Sequence, residues 1–276
     1  MSGRRRQTLA SASVVLSGVG LHSGADASVR LLPAPSGTGR VFRHVKSGQE
    51  LAALVSNVSD TSRCTRLTLD GFTVQTIEHV LSALAGLGVD DAFIEIDGPE
   101  VPAMDGSAAP FGYAISEAGL CEYPESVCPI TLDAPIFVSG GGSTIAALPS
   151  ATLSYTVVLD YPRHAYLGTQ AAFFEGTAEY QTQIAPARTY GFLSELEALR
   201  AAGLGLGASA DNAVVLGETH YETPLRFANE LARHKLLDLV GDLALAGRPV
   251  CAAILAVKPS HTLNVQFARL LSKQRF

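Results

Sequence analysis

Three short stretches of the 276-residue chain carry side chains whose types and spacing could do chemistry together. They are Glu78-His79, His234-Lys235-x-x-Asp238-x-x-x-Asp242 and Lys258-Pro259-Ser260-His261. In the second stretch a histidine and two carboxylates recur at every fourth residue, so on a helix they fall within an arc of roughly 80°. Leu231 and Phe227 fall in or near the same arc, so the stripe is not simply a solvated face. Burying such groups is costly unless they are paired, and a divalent metal is a natural partner for His and Asp one turn apart.

The first two stretches together could supply a complete metal site. A catalytic zinc commonly takes three protein ligands and leaves one position for water. His79, His234 and Asp238 would make such a set, with two ligands from one helix and the third from a distant element. A carboxylate that lies beside a ligand without being one suits the general base that such a water needs, and Glu78 fits that description.

The third stretch could supply a general acid. His261 is free to carry a proton, and Asp242 could hold its imidazole and raise its pKa. Taken singly, these signals have more ordinary interpretations. A Glu-His pair is more often a surface salt bridge, a histidine four residues before an aspartate is more often a hydrogen-bonded core residue, and Lys235 alone is typical of a solvated helix position. The other histidines have no comparable partner spacing and are interpreted as structural or exposed, namely His22, His44, His164 and His220.

Composition limits the class of protein. Hydrophobic residues make up 47% and charged residues 17%, an ordinary globular mixture that is long enough for two domains. The net charge of −6 argues against an extended nucleic-acid surface. The four cysteines show no C-x-x-C spacing, which favours a reducing cytosol over a disulfide framework or a cysteine zinc site. No apolar run approaches the ~18 residues that span a bilayer, and the apolar part of residues 1–20 is too broken for a signal sequence.

In each half of the chain the sequence pattern predicts strands followed by helices, rather than alternating βαβ units. This pattern predicts an α+β protein of two similar domains, each a β-sheet with helices packed on one face. The polar, proline-containing stretch from Glu122 to Pro129 is predicted to be the linker, which gives domains at 1–124 and 125–276. Asp70-Gly71 predicts a hairpin turn between two short strands.

The chemical residues are predicted to lie mainly on two helices. Thr76 is expected to N-cap the helix that carries Glu78-His79. Phe227 to Gly247 is predicted to be a single helix, with Thr223 as its cap and Pro224 at its first position. Further predicted helices are Phe111–Ala118 and Asn264–Ser272, and the stretch from Thr189 to Arg200 is predicted to lead into another helix. Further predicted strands are Gln7–Leu16, Ala27–Leu32, Ala92–Ile96, Ile130–Leu132, Ile136–Val138, Ser143–Leu148, Leu153–Leu159, Ala213–Leu216 and Val250–Val257.

Five segments, taken in their order along the chain, carry a resemblance to a known family. They are GVGLHSG at 18–24, TIEHVLSALAGLGVDDAFIEIDGPEVPAMDGSAAPF at 76–111, ARTYGF at 187–192, FANELARHKLLDLVGDL at 227–243 and KPSHTLN at 258–264. Together they resemble the UDP-3-O-acyl-N-acetylglucosamine deacetylases of lipid A biosynthesis. The resemblance covers nearly the entire chain and implies a zinc amidase of two similar α+β domains whose helix layers meet at the active site.

The resemblance also implies a role for each matching residue. The positions that match the zinc ligands are His79, His234 and Asp238. Glu78 matches the general base, His261 matches the general acid, and Asp242 matches the aspartate that orients this acid. Thr189 matches a hydroxyl that helps to hold the oxyanion, and the positions that match substrate contacts are Lys235, Tyr190, Phe192 and Lys258. Two positions depart from the family pattern: Tyr190 stands where Phe is common, and Ser260 replaces a glycine beside the acid histidine.

The same resemblance implies the cofactor and the partners. We expect one catalytic Zn²⁺, although a His2Asp site also accepts Fe²⁺. The expected substrate is a UDP-linked glucosamine with an O-linked hydroxyacyl chain and an N-acetyl group. We expect no nucleic acid, no integral membrane segment, and a monomer in the cytoplasm of a bacterium of Gram-negative type. The segment from Leu193 to Val215 could form the wall of an acyl-chain passage, or equally a plain core helix and loop.

Two other functions are compatible with parts of the pattern. One is a zinc amidase that acts on another acylated amino sugar or a peptide. The other is a catalytically silent protein that is stabilised by zinc or binds a sugar nucleotide. A silent protein would have no need of Glu78 or His261, and both are present.

Overall fold

The computed structural model describes residues 4–274, so the outermost residues of the two predicted domains, 1–3 and 275–276, lie outside the described part. Its first half contains β1 (Arg4–Leu9), β2 (Leu16–Val19), β3 (Asp26–Pro33), β4 (Arg40–His44), β5 (Glu50–Ala52), β6 (Val58–Asp60), β7 (Arg66–Leu69), β8 (Phe72–Gln75), α1 (Glu78–Gly86), β9 (Ala92–Asp97) and α2 (Ala109–Ala118). Its second half contains β10 (Leu120–Val127), β11 (Ile130–Thr131), β12 (Ile136–Gly140), β13 (Ser143–Pro149), β14 (Ser154–Asp160), β15 (Thr169–Glu175), α3 (Tyr180–Gln183), β16 (Tyr190–Phe192), α4 (Leu196–Ala201), β17 (Val214–Leu216), α5 (Glu230–Leu243), β18 (Val250–Val257) and α6 (His261–Leu271).

The main sheet of the first half has the strand order β2-β3-β9-β4-β5. Its neighbours are antiparallel except for β4 and β9, which run parallel. On β3 the alternate residues Ala27, Val29 and Leu31 are buried, while the residues between them are more exposed. Because successive strand residues point to opposite faces, one face of this sheet supplies the core that it shares with α1 and α2.

The main sheet of the second half has the order β12-β13-β18-β14-β15, and β11 pairs with the beginning of β18. The central strand β18 is antiparallel to β13 and parallel to β14. Its bounds, Val250–Val257, are those that the sequence predicts. Helices α5 and α6 pack on this sheet, so the second half repeats the plan of the first, and the predicted α+β class is confirmed.

The two halves meet where α1 packs against α5. Helix α1 is buried along nearly its whole length, including Glu78 and His79. A Cβ atom at Gly241 of α5 would overlap the carbonyl oxygen of Glu78, so only glycine allows the two backbones to come this close. The first turn of α1 therefore lies against the same turns of α5 that carry Asp238 and Asp242.

Helix α5 is shorter than the sequence predicts. It runs from Glu230 to Leu243, and a 3-10 turn, Ala244–Ala246, continues it to Gly247 in the left-handed conformation, φ 82°. The predicted cap at Thr223 is wrong, because its hydroxyl accepts a hydrogen bond from the backbone N–H of Val215 and so fixes β17 instead. Pro224 is likewise outside the helix.

The predicted cap at Thr76 is also wrong. Thr76 has a left-handed backbone, φ 57°, and α1 begins two residues later at Glu78. The Thr76 hydroxyl donates to Glu100 Oε1 at 2.7 Å rather than accepting from the helix. The Asp70-Gly71 hairpin is confirmed, with φ of 49° and 81° at the two turn residues, as a type I′ turn requires.

The predicted linker is mostly a strand. Residues Leu120–Val127 form β10, which pairs antiparallel with β1 in a separate two-stranded ribbon. This ribbon is largely exposed on the β10 side, so proline and polar residues are tolerated there. The boundary between 124 and 125 falls within β10 and stays a prediction. The predicted strand Gln7–Leu16 is divided, since β1 ends at Leu9 and β2 begins at Leu16.

Five elements were not predicted from the sequence, namely β4, β5, β6, β15 and α3. Other differences are at element ends. Helix α6 begins at His261, before the predicted Asn264, and α2 begins at Ala109 rather than Phe111. The stretch after Thr189 forms β16, a 3-10 turn and then α4. Among residues 4–274, no helix is long and apolar enough to cross a membrane.

Candidate active site

Three buried side chains at the α1–α5 contact form a cluster that could hold a metal ion. His79, His234 and Asp238 each offer one ligand atom, and these atoms all lie within 4.8 Å of one another. Asp238 Oδ1 is 3.7 Å from His79 Nε2 and 3.4 Å from His234 Nε2. This buried carboxylate oxygen has no hydrogen-bond partner among the described residues. A buried carboxylate oxygen without a partner is unfavourable, and a divalent cation between it and the two imidazoles would satisfy it.

The two imidazoles are in the form that a metal ligand needs. Burial first, and the neighbouring His234 second, lower the pKa of His79 to about 3. Burial also lowers the pKa of His234. Both rings are therefore neutral near pH 7, and metal ions bind neutral imidazole. His234 Nδ1 lies 3.1 Å from the carbonyl oxygen of Ala187 and donates to it, which leaves Nε2 with a lone pair directed at the cluster.

The carboxylate of Asp238 is held as an anion. Burial alone would raise its pKa, but its electrostatic interactions with His234 and Lys235 outweigh burial and hold the pKa well below its usual range. Lys235 Nζ donates to Asp238 Oδ2 at 2.8 Å. Asp238 therefore uses one oxygen for the lysine and keeps the other for the cluster. Lys235 is a mostly buried partner of the site rather than a solvated helix residue.

Glu78 lies beside the cluster without belonging to it. Its Oε2 accepts a hydrogen bond from the backbone N–H of Thr65 at 3.1 Å. Its Oε1 is 3.7 Å from His261 Nε2. Burial raises the pKa of Glu78, and the positive charge of His261 partly opposes that rise. A carboxylate with a raised pKa, one fixed oxygen and one free oxygen can accept a proton at the free position.

His261 faces Glu78 with one ring nitrogen and Asp242 with the other. Its Nδ1 is 2.9 Å from Asp242 Oδ2, which also accepts from Asn264 Nδ2 at 2.9 Å. Burial alone would lower the pKa of His261, but the charges of Asp242 and Glu78 outweigh it and raise the pKa to about 9. The ring is thus protonated near pH 7, and Nε2 is the nitrogen from which a proton can be given to a substrate.

Ser260 explains why α6 can begin at His261. Its side chain accepts a hydrogen bond from the backbone N–H of Leu263, as an N-cap does. Ser260 therefore fixes the first turn of α6, and with it the position of His261.

The segment ARTYGF runs along one side of the cluster. The Thr189 backbone is fixed on both sides, because its N–H donates to the Gly106 carbonyl and its carbonyl accepts from Val214. The Tyr190 hydroxyl, which the usual phenylalanine would lack, lies 2.6 Å from the Tyr161 hydroxyl. The Tyr190 ring also packs edge-on to His234, with ring centroids 6.0 Å apart.

A cavity of about 560 Å³ opens from the cluster. At its polar end the lining contains most of the predicted site residues, namely Glu78, His79, Thr189, Tyr190, Phe192, His234, Lys235, Asp238 and His261. Its other wall comes from the segment 193–215 and is mainly apolar, with Leu193, Leu196, Leu199, Ala208, Ala213 and Val215 among the lining residues. Of the two interpretations of this segment, the cavity wall is the one that the structure supports.

Two predicted positions fall outside the cavity lining. Asp242 lies behind His261, fully buried. Lys258 is half-buried, and its Nζ is 3.5 Å from Asp160 Oδ2, next to the cavity residue Tyr161. Conversely, His22, interpreted as structural or exposed, is buried and lines the cavity.

The sequence assigns no role to several residues that hold the site. Thr65 and Tyr161 lie outside the five segments quoted above, and Asn264 lies within one without an assigned role. Their roles follow from contacts between distant segments. Glu100 is a further example: its buried carboxylate accepts hydrogen bonds from the backbone N–H groups of His22 and Ser23. With its bond from Thr76, it holds the GVGLHSG segment against the start of α1.

Comparison with known proteins agrees with this geometry. The family model described as "LpxC: UDP-3-O-acyl N-acetylglycosamine deacetylase" matches residues 6–273. A UDP-3-O-acyl-N-acetylglucosamine deacetylase of Leptospira biflexa serovar Patoc is 43% identical over 267 residues, which cover 95% of this chain and 88% of the relative. The protein of the same name from Nostoc sp. strain PCC 7120 is 42% identical over 274 residues, with coverage of 96% and 97%.

A third relative combines two activities in its name. The "Bifunctional enzyme LpxC/FabZ" of Chlorobaculum tepidum is 38% identical over 292 residues, which cover 94% of this chain and 62% of the relative. The matches extend along nearly the full chain and include both helices that carry the cluster. The chain belongs to the UDP-3-O-acyl-N-acetylglucosamine deacetylase family.

Proposed function

We propose that this protein hydrolyses the N-acetyl group of UDP-3-O-(3-hydroxyacyl)-N-acetylglucosamine and gives the free amine and acetate, a step in lipid A biosynthesis. Membership of the family supports the reaction and the substrate. The observation that carries the proposal is the arrangement at the polar end of the cavity. A buried His2Asp cluster lies beside a carboxylate and a protonated histidine, in a cavity whose other wall is mainly apolar.

The metal that we propose is a single zinc ion on His79, His234 and Asp238. The unpartnered Asp238 Oδ1 and the two neutral imidazoles fit such an ion, and two histidines with one carboxylate are a ligand set of catalytic zinc. Bound there, zinc would polarise the acetamide carbonyl and lower the pKa of a water molecule beside it. The same ligands also accept iron, which is the alternative for the native ion.

The general base that we propose is Glu78. Its Oε2 is occupied by the N–H of Thr65, so Oε1 is the oxygen that takes a proton from the attacking water. Thr189 lines the cavity and has a fixed backbone, and we propose that its hydroxyl donates to the oxygen that becomes negatively charged in the transition state.

The general acid that we propose is His261. Asp242 holds Nδ1, so Nε2 carries the proton that the leaving amine needs, and the raised pKa keeps it there at neutral pH. Once the amine is protonated the C–N bond breaks, acetate leaves and the free amine remains. Asp242 holds the imidazole through its contact with Nδ1.

The rest of the cavity would bind the substrate. Tyr190, Phe192 and the wall formed by 193–215 would contact the sugar and the acyl chain. Lys235 lies at the polar end, and we propose that the half-buried Lys258, whose ammonium lies near Asp160, contacts the diphosphate. We further propose that the protein works as a monomer in the bacterial cytoplasm, in keeping with its free cysteines and nucleotide-linked substrate.

The proposal can be tested with the purified protein. We expect acetate release from the acylated UDP-N-acetylglucosamine, much slower release from the same sugar nucleotide without the acyl chain, and zinc in the active preparation. Equal turnover of both compounds would instead favour an amidase of broader substrate range. Bound zinc without turnover of either would favour the binding-protein alternative and contradict the proposal.

A further inference from the structure

Thr65 connects the two ends of the proposed proton-transfer system. It is fully buried and immediately precedes β7. Its backbone N–H donates to Glu78 Oε2 at 3.1 Å, and its hydroxyl donates to Asp242 Oδ1 at 2.6 Å. One residue of the first half is therefore bonded both to the candidate base on α1 and to the aspartate on α5 that holds the candidate acid.

The bond to Asp242 matters because this carboxylate is completely buried and both its oxygens are in use. Oδ1 accepts from Thr65, whereas Oδ2 accepts from His261 and from Asn264. A carboxylate held at both oxygens cannot rotate without losing a hydrogen bond, and a buried charge is costly to leave unsatisfied. The Thr65 hydroxyl also lies 3.5 Å from His261 Nδ1, but its much shorter contact with Asp242 shows where its proton points.

We propose that Thr65 is a positioning residue for the reaction. Its hydroxyl fixes the rotation of the Asp242 carboxylate, and thereby the orientation of His261. Because the backbone N–H of Thr65 also holds the Glu78 carboxylate, one residue sets the position of His261 relative to Glu78. This inference rests on the proposed function for its role in catalysis. Thr65 is not among the described residues that line the cavity, so it acts through Asp242 and not on the substrate.

The decisive variants are Thr65→Val, which removes the hydroxyl at nearly constant shape, and Thr65→Ser, which restores it. Thr68→Val is the matched control, because Thr68 makes its side-chain bonds to Ser59 and Thr73 at the outer side of the β7–β8 hairpin. A hydrogen bond to a charged group is lost in Thr65→Val, so we expect kcat to fall roughly 10- to 100-fold while KM stays within about twofold. Thr65→Ser should recover most of kcat, and Thr68→Val should leave kcat unchanged.

A double variant separates positioning from general loss of structure. In an Asp242→Ala background the partner of the hydroxyl is gone, so adding Thr65→Val should lower kcat by less than about twofold. A further loss as large as in the wild-type background would show that Thr65 does not act through Asp242 and would overturn the proposal. The thermal midpoint Tm and the metal content of each variant are measured alongside.

A spectroscopic measurement decides the question without any substrate. The Nδ1 proton of His261 should give a low-field imidazole resonance, assigned by its loss in His261→Gln. Thr65→Val should shift this resonance and Thr65→Ser should restore it. An unchanged resonance in Thr65→Val, or a loss of kcat that serine does not rescue, would overturn the role of Thr65. A wild-type protein that does not turn over the acylated UDP-sugar would contradict the proposed function, while the resonance still decides the role of Thr65.

Discussion

The two ends of the cavity are built in opposite ways. At the polar end Glu78, Asp238 and Asp242 are buried and held by hydrogen bonds from both halves of the chain. At the apolar end the wall consists of α4 and its flanking turns. No residue of α4 is buried, and Leu193, just before it, is 51% exposed. A preorganised polar end suits a fixed chemical step, and a loosely packed wall can adapt to a chain. Substitutions at the two ends should therefore separate the rate of the reaction from its preference for chain length.

The largest effect should come from Glu78→Gln. The amide keeps the shape of the side chain but cannot accept the proton, so kcat should fall about 10²- to 10⁴-fold with the metal retained. Acetate release and elemental analysis measure the two properties, and Glu117→Gln on the exposed side of α2 is the control. Near-normal turnover in Glu78→Gln would remove this residue from the mechanism. A change in acyl-chain preference would contradict the separation of the two ends.

The next largest effect concerns pH. His261 must carry a proton to act as the acid, and its pKa is raised to about 9, so kcat/KM should fall as the pH rises through about 9. Asp242→Asn removes the negative charge that contributes most to raising the pKa. The descending limb of the pH profile should therefore move to lower pH, and kcat should fall about tenfold because the ring is less well held. A limb that stays in place in Asp242→Asn would show that another group controls it.

A smaller effect on both stability and rate should follow from Gly241→Ala. The added methyl overlaps the Glu78 carbonyl, so α1 and α5 must move apart. Overpacking of this kind costs about 1–3 kcal/mol, and we expect a lower Tm together with a severalfold loss of kcat. Gly140→Ala, where the nearest atom is in ordinary contact distance at 3.8 Å, is the matched control. Wild-type Tm and kcat in Gly241→Ala would show that the α1–α5 approach does not position the base.

The smallest effect should appear at the apolar wall. Leu199→Phe would narrow the cavity and should disfavour the substrate with the longer acyl chain. We expect kcat/KM for the longer substrate, divided by kcat/KM for the shorter one, to fall about fourfold for each methylene that loses contact with the wall. The rate with the shorter substrate should change little. Leu206→Phe is the control, because Leu206 is 51% exposed and does not belong to the lining. An equal loss of rate with both substrates would contradict the view that the wall acts on chain selection.

Much of this arrangement could be predicted from the sequence. The i, i+4, i+8 spacing placed His234, Asp238 and Asp242 on one helical stripe, and the adjacency of Glu78 and His79 suggested a base beside a ligand. The structure brings all of these together with His261. Periodicity also predicted the class of the fold and several strands of both main sheets, because alternating and helical patterns are local properties of the chain. The strands β4, β5 and β15 were not predicted.

The remaining features depend on contacts between distant segments. Thr76 and Thr223 looked like helix caps, but their hydroxyls have partners in other elements, Glu100 and Val215, that a local rule cannot detect. The predicted linker became β10 because β1, more than a hundred residues earlier, pairs with it. Thr65 carries no motif at all, since its role arises only where the first half meets Asp242.

The most direct test of the central claim, that His79, His234 and Asp238 hold one catalytic metal ion, is the metal content of the purified protein and of Asp238→Ala, measured side by side. Glu78→Gln serves as the control with an intact ligand set. We expect close to one zinc ion per chain in the wild type and in Glu78→Gln, and a large loss in Asp238→Ala, because a carboxylate ligand is missing. Full metal content in Asp238→Ala would contradict the proposed ligand set.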